Sequence, residues 1–253
     1  TGTLSAANSL VGSTANDQVS RSGVTALANG NYVVLSPYWD NGTKANAGAA
    51  TWGSGTAGMC GEVFDDNSLI GGTAGDQVGY GVTALANGNY VVTSPYWDDG
   101  SVTDAGAATL CGGTAAFAGA VSSANSLVGS TASDLVGAGG TIALANGNYI
   151  VRSYMWDNGA TVDAGAVTWG SGTAGVKGAV SETNSLVGGT ANDQVGYGGT
   201  TGVVALVNGN YVVLSRSWNN GATAYAGAAT WGNGTAGVTG AVSAANSLVG
   251  STY

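Results

Sequence analysis

Four tryptophans, each followed by a side chain that accepts hydrogen bonds, have the clearest potential for chemistry. An indole face can stack on a pyranose ring while a neighbouring carboxylate or amide oxygen accepts hydrogen bonds from sugar hydroxyls. We therefore treat these pairs as candidate carbohydrate sites, with packing between repeated units as the alternative. The pairs are Trp39-Asp40, Trp97-Asp98, Trp156-Asp157 and Trp218-Asn219.

Further carboxylates follow two of these tryptophans in Gly-containing turns. Asp98 with Asp104, and Asp157 with Asp163, offer oxygen ligands of the kind that calcium prefers. The pattern lacks the alternation and terminal Glu of an EF-hand loop, and the other two units have Asn46 and Tyr225 at the last position. We expect no cofactor, with calcium at these four residues as the alternative.

A separate set of aspartates recurs once per unit and has a structural interpretation. Asp accepts hydrogen bonds from backbone N–H groups of turns. We predict this role for Asp17, Asp76, Asp134 and Asp193.

Composition excludes several classes of function. The chain has no His, so it has no His base, no His metal ligand and no catalytic triad. Neighbouring carboxylates such as Asp65 and Asp66 would point to opposite faces of a strand, which is poor geometry for acid–base catalysis. With five Lys and Arg and a net charge of −9, the chain also lacks the basic patches that nucleic acid requires. We expect a protein that is not an enzyme and does not bind nucleic acid.

The two cysteines lie in neighbouring repeats. Cys60 follows Trp52 by eight residues, and Cys111 follows Leu110 directly. Adjacent units could bring them together as a disulfide in an oxidising compartment, or leave them as two free thiols.

Two markers recur in the same register along the chain. Asn-Ser-Leu-(Val/Ile)-Gly starts at residues 8, 67, 125, 184 and 246, and Asn-Gly-Asn-Tyr starts at residues 29, 87, 146 and 208. A fixed period of this length indicates a tandem-repeat architecture. We expect one repeat domain over residues 1–253, with units at about 8–66, 67–124, 125–183 and 184–245.

Each unit contains short apolar segments and a hairpin signal. Asn-Gly tolerates the positive φ of a tight turn, and it separates segments such as 23–27 and 32–36. Dense Gly and the lack of an apolar helical stripe disfavour helices. Four antiparallel strands per unit predict an all-β fold, a four-bladed β-propeller. The alternative is a β-solenoid.

The two ends of the chain duplicate one another. Residues 1–14 and 246–253 both carry the first marker, so it occurs once more often than the hairpin. In a closed ring the two copies would compete for one outer strand position, or the spare copy would pair with another chain.

These strings resemble a repeat of large bacterial cell-surface proteins of the haemagglutinin-like kind. The resemblance is carried by residues 24–42, 48–58 and 241–250, with local departures at Leu110-Cys111, Tyr154-Met155 and Arg216-Ser217. It implies an extracellular repeat module, and no catalytic residue is carried over from it.

Composition and resemblance together give the functional expectation. Low charge and abundant small polar residues favour a secreted or cell-surface protein, and no apolar run is long enough to span a bilayer. We expect a non-enzymatic module for adhesion or structural assembly, which associates with itself through the spare terminal strand. The alternative is a lectin-like protein that binds glycans once per unit.

Overall fold

The structure is a computed structural model that describes residues 3–198 and 201–251, and within these ranges it contains strands and turns but no α-helix. A unit of the structure runs from its hairpin to the loop after its marker segment, so it begins later in the chain than the unit expected from the marker spacing. The hairpin turn carries the Asn-Gly signal. The turn glycines have φ of 84° to 87°, which glycine adopts without a Cβ penalty. The first hairpin strands are Val24–Ala26 (β2), Gly81–Ala84 (β7), Thr141–Ala143 (β12) and Val203–Ala205 (β17).

The second and third strands of a unit have five residues each. The second strands are Tyr32–Ser36 (β3), Tyr90–Ser94 (β8), Tyr149–Ser153 (β13) and Tyr211–Ser215 (β18). The third strands are Ala49–Gly53 (β4), Ala107–Cys111 (β9), Ala166–Gly170 (β14) and Ala228–Gly232 (β19).

Two shorter kinds of strand follow. We call the two-residue ones link strands: Gly61–Glu62 (β5), Gly119–Ala120 (β10), Gly178–Ala179 (β15) and Gly240–Ala241 (β20). The marker strands carry the Ser-Leu-Val/Ile string: Leu10–Val11 (β1), Ser68–Ile70 (β6), Ser126–Val128 (β11), Ser185–Val187 (β16) and Ser247–Val249 (β21).

Link strands join successive units. Strands β2, β3, β4 and β6 form an antiparallel sheet, as the sequence predicts. The fifth strand of that sheet is β10 from the next unit, and it pairs parallel to β6 with Leu69 opposite Gly119. The second and third sheets are completed in the same way by β15 and β20. The prediction of four strands per unit is therefore corrected to five, because each unit also contributes a link strand to the sheet of the preceding unit.

The hydrophobic cores lie between units. On each sheet the side chains alternate between a front face, which contacts the preceding unit, and a back face, which contacts the following one. Val33 and Leu69 on the back of the first sheet pack with Tyr90 and Val92 on the front of the second. Equivalent clusters lie between the second and third units and between the third and fourth.

The structure confirms an all-β tandem-repeat fold. The four core clusters join the first unit to the N-terminal segment and each unit to the next, and none of them joins the first unit to the fourth. The ring of a four-bladed β-propeller is thus not closed by the described residues. A row of units that contact only their neighbours is the arrangement that solenoid repeats use.

The two terminal marker strands occupy different positions. Strand β1 pairs parallel to β5 in front of the first unit, whereas β21 pairs antiparallel to β19 in the fourth sheet. The predicted competition for one position is therefore wrong, because a marker strand has an antiparallel partner in its own unit and a parallel partner in the next.

Close backbone approach at the marker strands generates a stability prediction. A Cβ at Gly188 would lie 2.2 Å from the Ala164 oxygen and 2.7 Å from Asp193 Cβ, whereas at Gly189 it would meet nothing within 4 Å. We expect Gly188→Ala to lower the free energy of unfolding by about 2–3 kcal/mol through overpacking. Gly189→Ala is the control and should be close to neutral. Equal denaturation midpoints for the two variants would contradict the packing described.

Candidate functional site

The four tryptophans of the candidate carbohydrate sites are buried. Their exposed fractions lie between 3% and 6%, and they pack in the clusters between units. A sugar needs an open ring face, and these ring faces are covered by the protein. The structure therefore corrects the stacking hypothesis for Trp39, Trp97, Trp156 and Trp218, and places these indoles in the packing between units.

The residues that follow these tryptophans close turns. Asp98 Oδ1 accepts a hydrogen bond from the Asp104 N–H at 2.7 Å. The Asp40, Asp157 and Asn219 side chains make the same contact, with Asn46, Asp163 and Tyr225 as donors. All four donors have φ between 50° and 53°, so each turn passes through the left-handed region. The predicted sugar-accepting oxygens hold the backbone of their own loop.

The residues of the calcium alternative lie in pairs, Asp98 beside Asp104 and Asp157 beside Asp163. Burial first, and then the nearby Asp98 and Asp76, raise the pKa of Asp104. Burial and Asp157 likewise raise the pKa of Asp163. In the part of the chain that the structure describes, no group of three or more His, Cys, Asp or Glu side chains could hold a metal ion.

A second aspartate in each unit fastens that unit to the next. Asp134 is fully buried; its Oδ2 accepts from the N–H groups of Ser130 and Thr131 at 2.7 and 2.8 Å. Its Oδ1 accepts from the Thr131 hydroxyl and from the Asp157 N–H, which lies in the following unit, at 2.9 Å. Asp17, Asp76 and Asp193 make the corresponding bonds to Asp40, Asp98 and Asn219. These side chains accept hydrogen bonds within turns, as the sequence indicates. They also accept a hydrogen bond from the following unit, and we call such a contact between units a polar clip.

Asparagines of the hairpin turn form a second polar clip, which sequence reasoning missed. The side-chain amides of Asn29 and Asn31 donate to the Gly113 oxygen of the next unit at 2.7 and 2.8 Å. Asn87 and Asn89 donate in the same way to Gly172, and Asn146 and Asn148 donate to Gly234. The signal for this contact is the Asn-Gly-Asn marker, which by itself predicts only a tight turn.

A second set of tryptophans lies in the third strands, at Trp52, Trp169 and Trp231, and two of them add a third donor to these contacts. The indole N–H of Trp52 donates to the Gly113 oxygen at 2.9 Å, and that of Trp169 donates to Gly234 at 2.9 Å. The equivalent residue of the second unit is Leu110, which packs against the cluster between the second and third units. The equivalent residue of the fourth unit is Trp231, which is 55% exposed.

The two cysteines are free thiols. Cys60 is exposed in the loop before β5, whereas Cys111 is buried in β9, where burial raises the pKa of its thiol. The disulfide considered from the sequence is absent, because the two residues occupy a surface loop and a core strand respectively.

The described geometry defines a class, an all-β tandem-repeat protein whose polar clips and cores lie between units. Among the described residues, no helix is long and apolar enough to cross a membrane. A family model described as "Repeat of unknown function (DUF5650)" matches five successive segments, at residues 1–21, 26–80, 84–138, 143–197 and 205–253. Because these segments cover most of the chain, the protein belongs to this repeat family. No curated protein matches it.

The hairpin clip can be tested with an internal control. Asn146 and Asn208 have equivalent positions, and the oxygen of each accepts from the N–H two residues later. Only the Asn146 amide also donates to a described residue of a following unit. We expect Asn146→Ala to cost about 1 kcal/mol more stability than Asn208→Ala, since one further hydrogen bond is lost. Equal losses in urea unfolding would contradict the clip.

Because the pKa of Asp104 is raised, replacing its carboxyl group should stabilise the fold in a pH-dependent way. The carboxyl group of Asp104 binds its proton more tightly in the folded state than in the unfolded state. The charged carboxylate therefore costs no stability below pH 3.8, the ordinary pKa, and the cost grows as the pH rises from there through the higher pKa of the folded state. We expect Asp104→Asn to raise the free energy of unfolding at pH 7, by less than about 1 kcal/mol since the site is largely solvated. The gain should vanish near pH 3, whereas the exposed control Asp66→Asn should change little at either pH.

Proposed function

We propose that this protein is a non-enzymatic module for adhesion or structural assembly at the outside of the cell. The observation that carries the proposal is the interdependence of the units. Each of the first three sheets is completed by a strand of the next unit, and two kinds of polar contact repeat at each junction between these units. Such a row presents the same turns at regular intervals, which suits a scaffold or an adhesive surface.

Composition and resemblance support the location. The chain carries few charged residues and many Gly, Ser, Thr and Asn, which is typical of extracellular proteins, and its strings resemble bacterial haemagglutinin-like repeats. The family to which it belongs has no assigned function, so the surface location is our proposal.

The chemistry of the chain supports a role without catalysis. It lacks His, and the carboxylates that recur in each unit accept backbone hydrogen bonds in turns. A general acid or base needs a carboxyl group that faces the substrate, and these face their own backbone.

Carbohydrate binding is the second candidate, on a different set of aromatic residues from that predicted. Tyr80 contacts Tyr96 edge to face with ring centroids 5.4 Å apart, and Tyr154 contacts Tyr197 at 5.1 Å. Two grooves of about 240 and 310 Å³ lie along these pairs and share Ala138 and Tyr154. Tyr80 and Tyr197 are exposed and Tyr154 is half-buried, and tyrosines that line a groove can stack on sugar rings while their hydroxyls donate hydrogen bonds.

An adhesion assay separates these candidates. Beads coated with the full chain should attach to an uncoated or protein-coated surface under flow, and beads coated with the heat-denatured chain should not. Attachment that needs glycans and is lost in Tyr154→Ala, but not in the exposed control Tyr225→Ala, would instead support the lectin. Absence of attachment to all surfaces, together with turnover of a polysaccharide substrate, would contradict the module.

A further inference from the structure

The back face of the fourth unit is not covered by any of the described residues. Leu248 is 83% exposed, whereas the equivalent Leu69, Leu127 and Leu186 are fully buried by the unit that follows them. Trp231 is exposed beside it, and together they line a groove of about 400 Å³ with Val212 and Ala229. In the other three units the same face packs against the unit that follows in the chain.

The hydrogen-bond donors of this face also lack partners among the described residues. In the first and third junctions two asparagine amides and one indole N–H converge on a single glycine oxygen of the next unit. The equivalent donors of the fourth unit are Asn208, Asn210 and Trp231. Asn208 and Asn210 bind only within their own unit, through their Oδ1 atoms.

The front face of the first unit presents the complementary features. Gly55 corresponds to Gly113, Gly172 and Gly234, which are buried with their oxygens occupied by these donors, yet Gly55 itself is exposed. Tyr32 is only half-buried on this face, whereas the equivalent Tyr90, Tyr149 and Tyr211 are fully buried.

The N-terminal marker strand covers part of this front face. Leu10 lies opposite Gly61 in the parallel pair of β1 with β5, and it packs with Trp39 and Ile70. Residues 5–14 and 243–252 are identical in sequence, Ser-Ala-Ala-Asn-Ser-Leu-Val-Gly-Ser-Thr. Strand β1 therefore occupies the place that β21 would take if a fourth unit preceded the first.

We propose that two copies of this chain assemble head to tail by strand exchange. Strand β21 of one copy displaces β1 of the other and pairs with β5, which places the back face of the fourth unit on the front face of the first. The proposal rests on the assembly function given above and names its partner as a second copy. The faces involved are the ones that already pair three times within the chain.

The assembled state is favoured over the separate chains mainly because it buries more surface. The identical sequences make the same pairing to β5 before and after exchange. Leu248 takes the place of Leu10, whose packing against Trp39 and Ile70 is given up. The assembled state additionally buries Trp231 and Tyr32 and gives the side-chain donors of the fourth unit an acceptor at Gly55, so apolar burial and hydrogen bonding both favour it. Displacing β1 takes time, so we expect slow, concentration-dependent assembly.

A surface variant tests the docking face. Leu248→Asp should weaken self-association about tenfold or more, since a buried leucine contributes roughly 1.5–3 kcal/mol. Val162→Asp is the matched control, because Val162 is 54% exposed in the third unit and lies at neither end face. Analytical ultracentrifugation of the full chain measures both, and unfolding midpoints show that each variant is folded.

A cysteine lock tests the exchange itself. Ser9 directly precedes β1, and its main-chain carbonyl oxygen accepts from the Gly61 N–H at 3.1 Å. Since Leu10 lies opposite Gly61, Ser9→Cys would lie opposite the exposed Cys60. Oxidation should tie β1 to its own chain and keep the protein monomeric, and reduction should restore assembly. In the exchanged dimer Ser247→Cys should instead cross-link to Cys60 of the second copy.

The proposal would be overturned by a wild-type chain that remains monomeric at high concentration, by Leu248→Asp that associates like wild type, or by association of the locked Ser9→Cys monomer. Glycan binding at Trp231 without self-association would assign the face to carbohydrate and would equally overturn it. Bead attachment that persists in Leu248→Asp would leave the adhesive function standing, so the two failures are distinguishable.

Discussion

Each repeat of this protein depends on its neighbour to bury its marker strand. Leu69, Leu127 and Leu186 are fully buried because the following unit covers them, whereas the same residue at position 248 is largely exposed. A sheet of four short strands is about the minimum for stability, and here it gains a fifth strand and an apolar cover only through stacking. The stability of one unit is thus tied to the presence of the next.

Polar groups fix how the units stack, while apolar side chains drive the stacking. A buried carboxylate such as Asp134 satisfies two N–H groups of its own turn and reaches a third in the next unit. Glycine is required at Gly237 because a Cβ there would lie 2.8 Å from the Trp169 Cβ of the preceding unit. Small residues therefore set the close approach, and the carboxylates and amides set the register, since an unpaired buried polar group would be costly.

The sequence predicts much of the unit and little of the junction. The Asn-Gly hairpins, the strands around them and the five marker segments lie where their residue patterns place them. The parallel link strands could not be predicted, because a two-residue Gly-Ala segment such as Gly119–Ala120 has no apolar alternation and its partner lies about 50 residues earlier in the chain. The contacts of the asparagine amides could not be predicted either, because their acceptors also lie far away along the chain.

The candidate sites show the same limit. Trp169 and Trp231 have equivalent positions in the repeat, yet Trp169 packs half-buried in a junction and Trp231 is exposed because no described unit covers it. Residue type gives the chemistry available to a side chain, and only the stacking decides whether that chemistry faces solvent. This is why aromatic residues outside the Trp-Asp motif, Tyr80 and Tyr154 among them, line the grooves that a sugar could enter.

The completion of each sheet by the next unit is tested most directly by amide hydrogen exchange. The N–H groups of Val121, Val180 and Val242 directly follow link strands and donate 3.0 Å hydrogen bonds to Ile70, Val128 and Val187 of the preceding unit. We predict that these three amides exchange as slowly as the central strands, because they open only when neighbouring units separate. Exchange at the rate of exposed turns such as Gly159 would contradict the account, since each sheet would then end at its own marker strand.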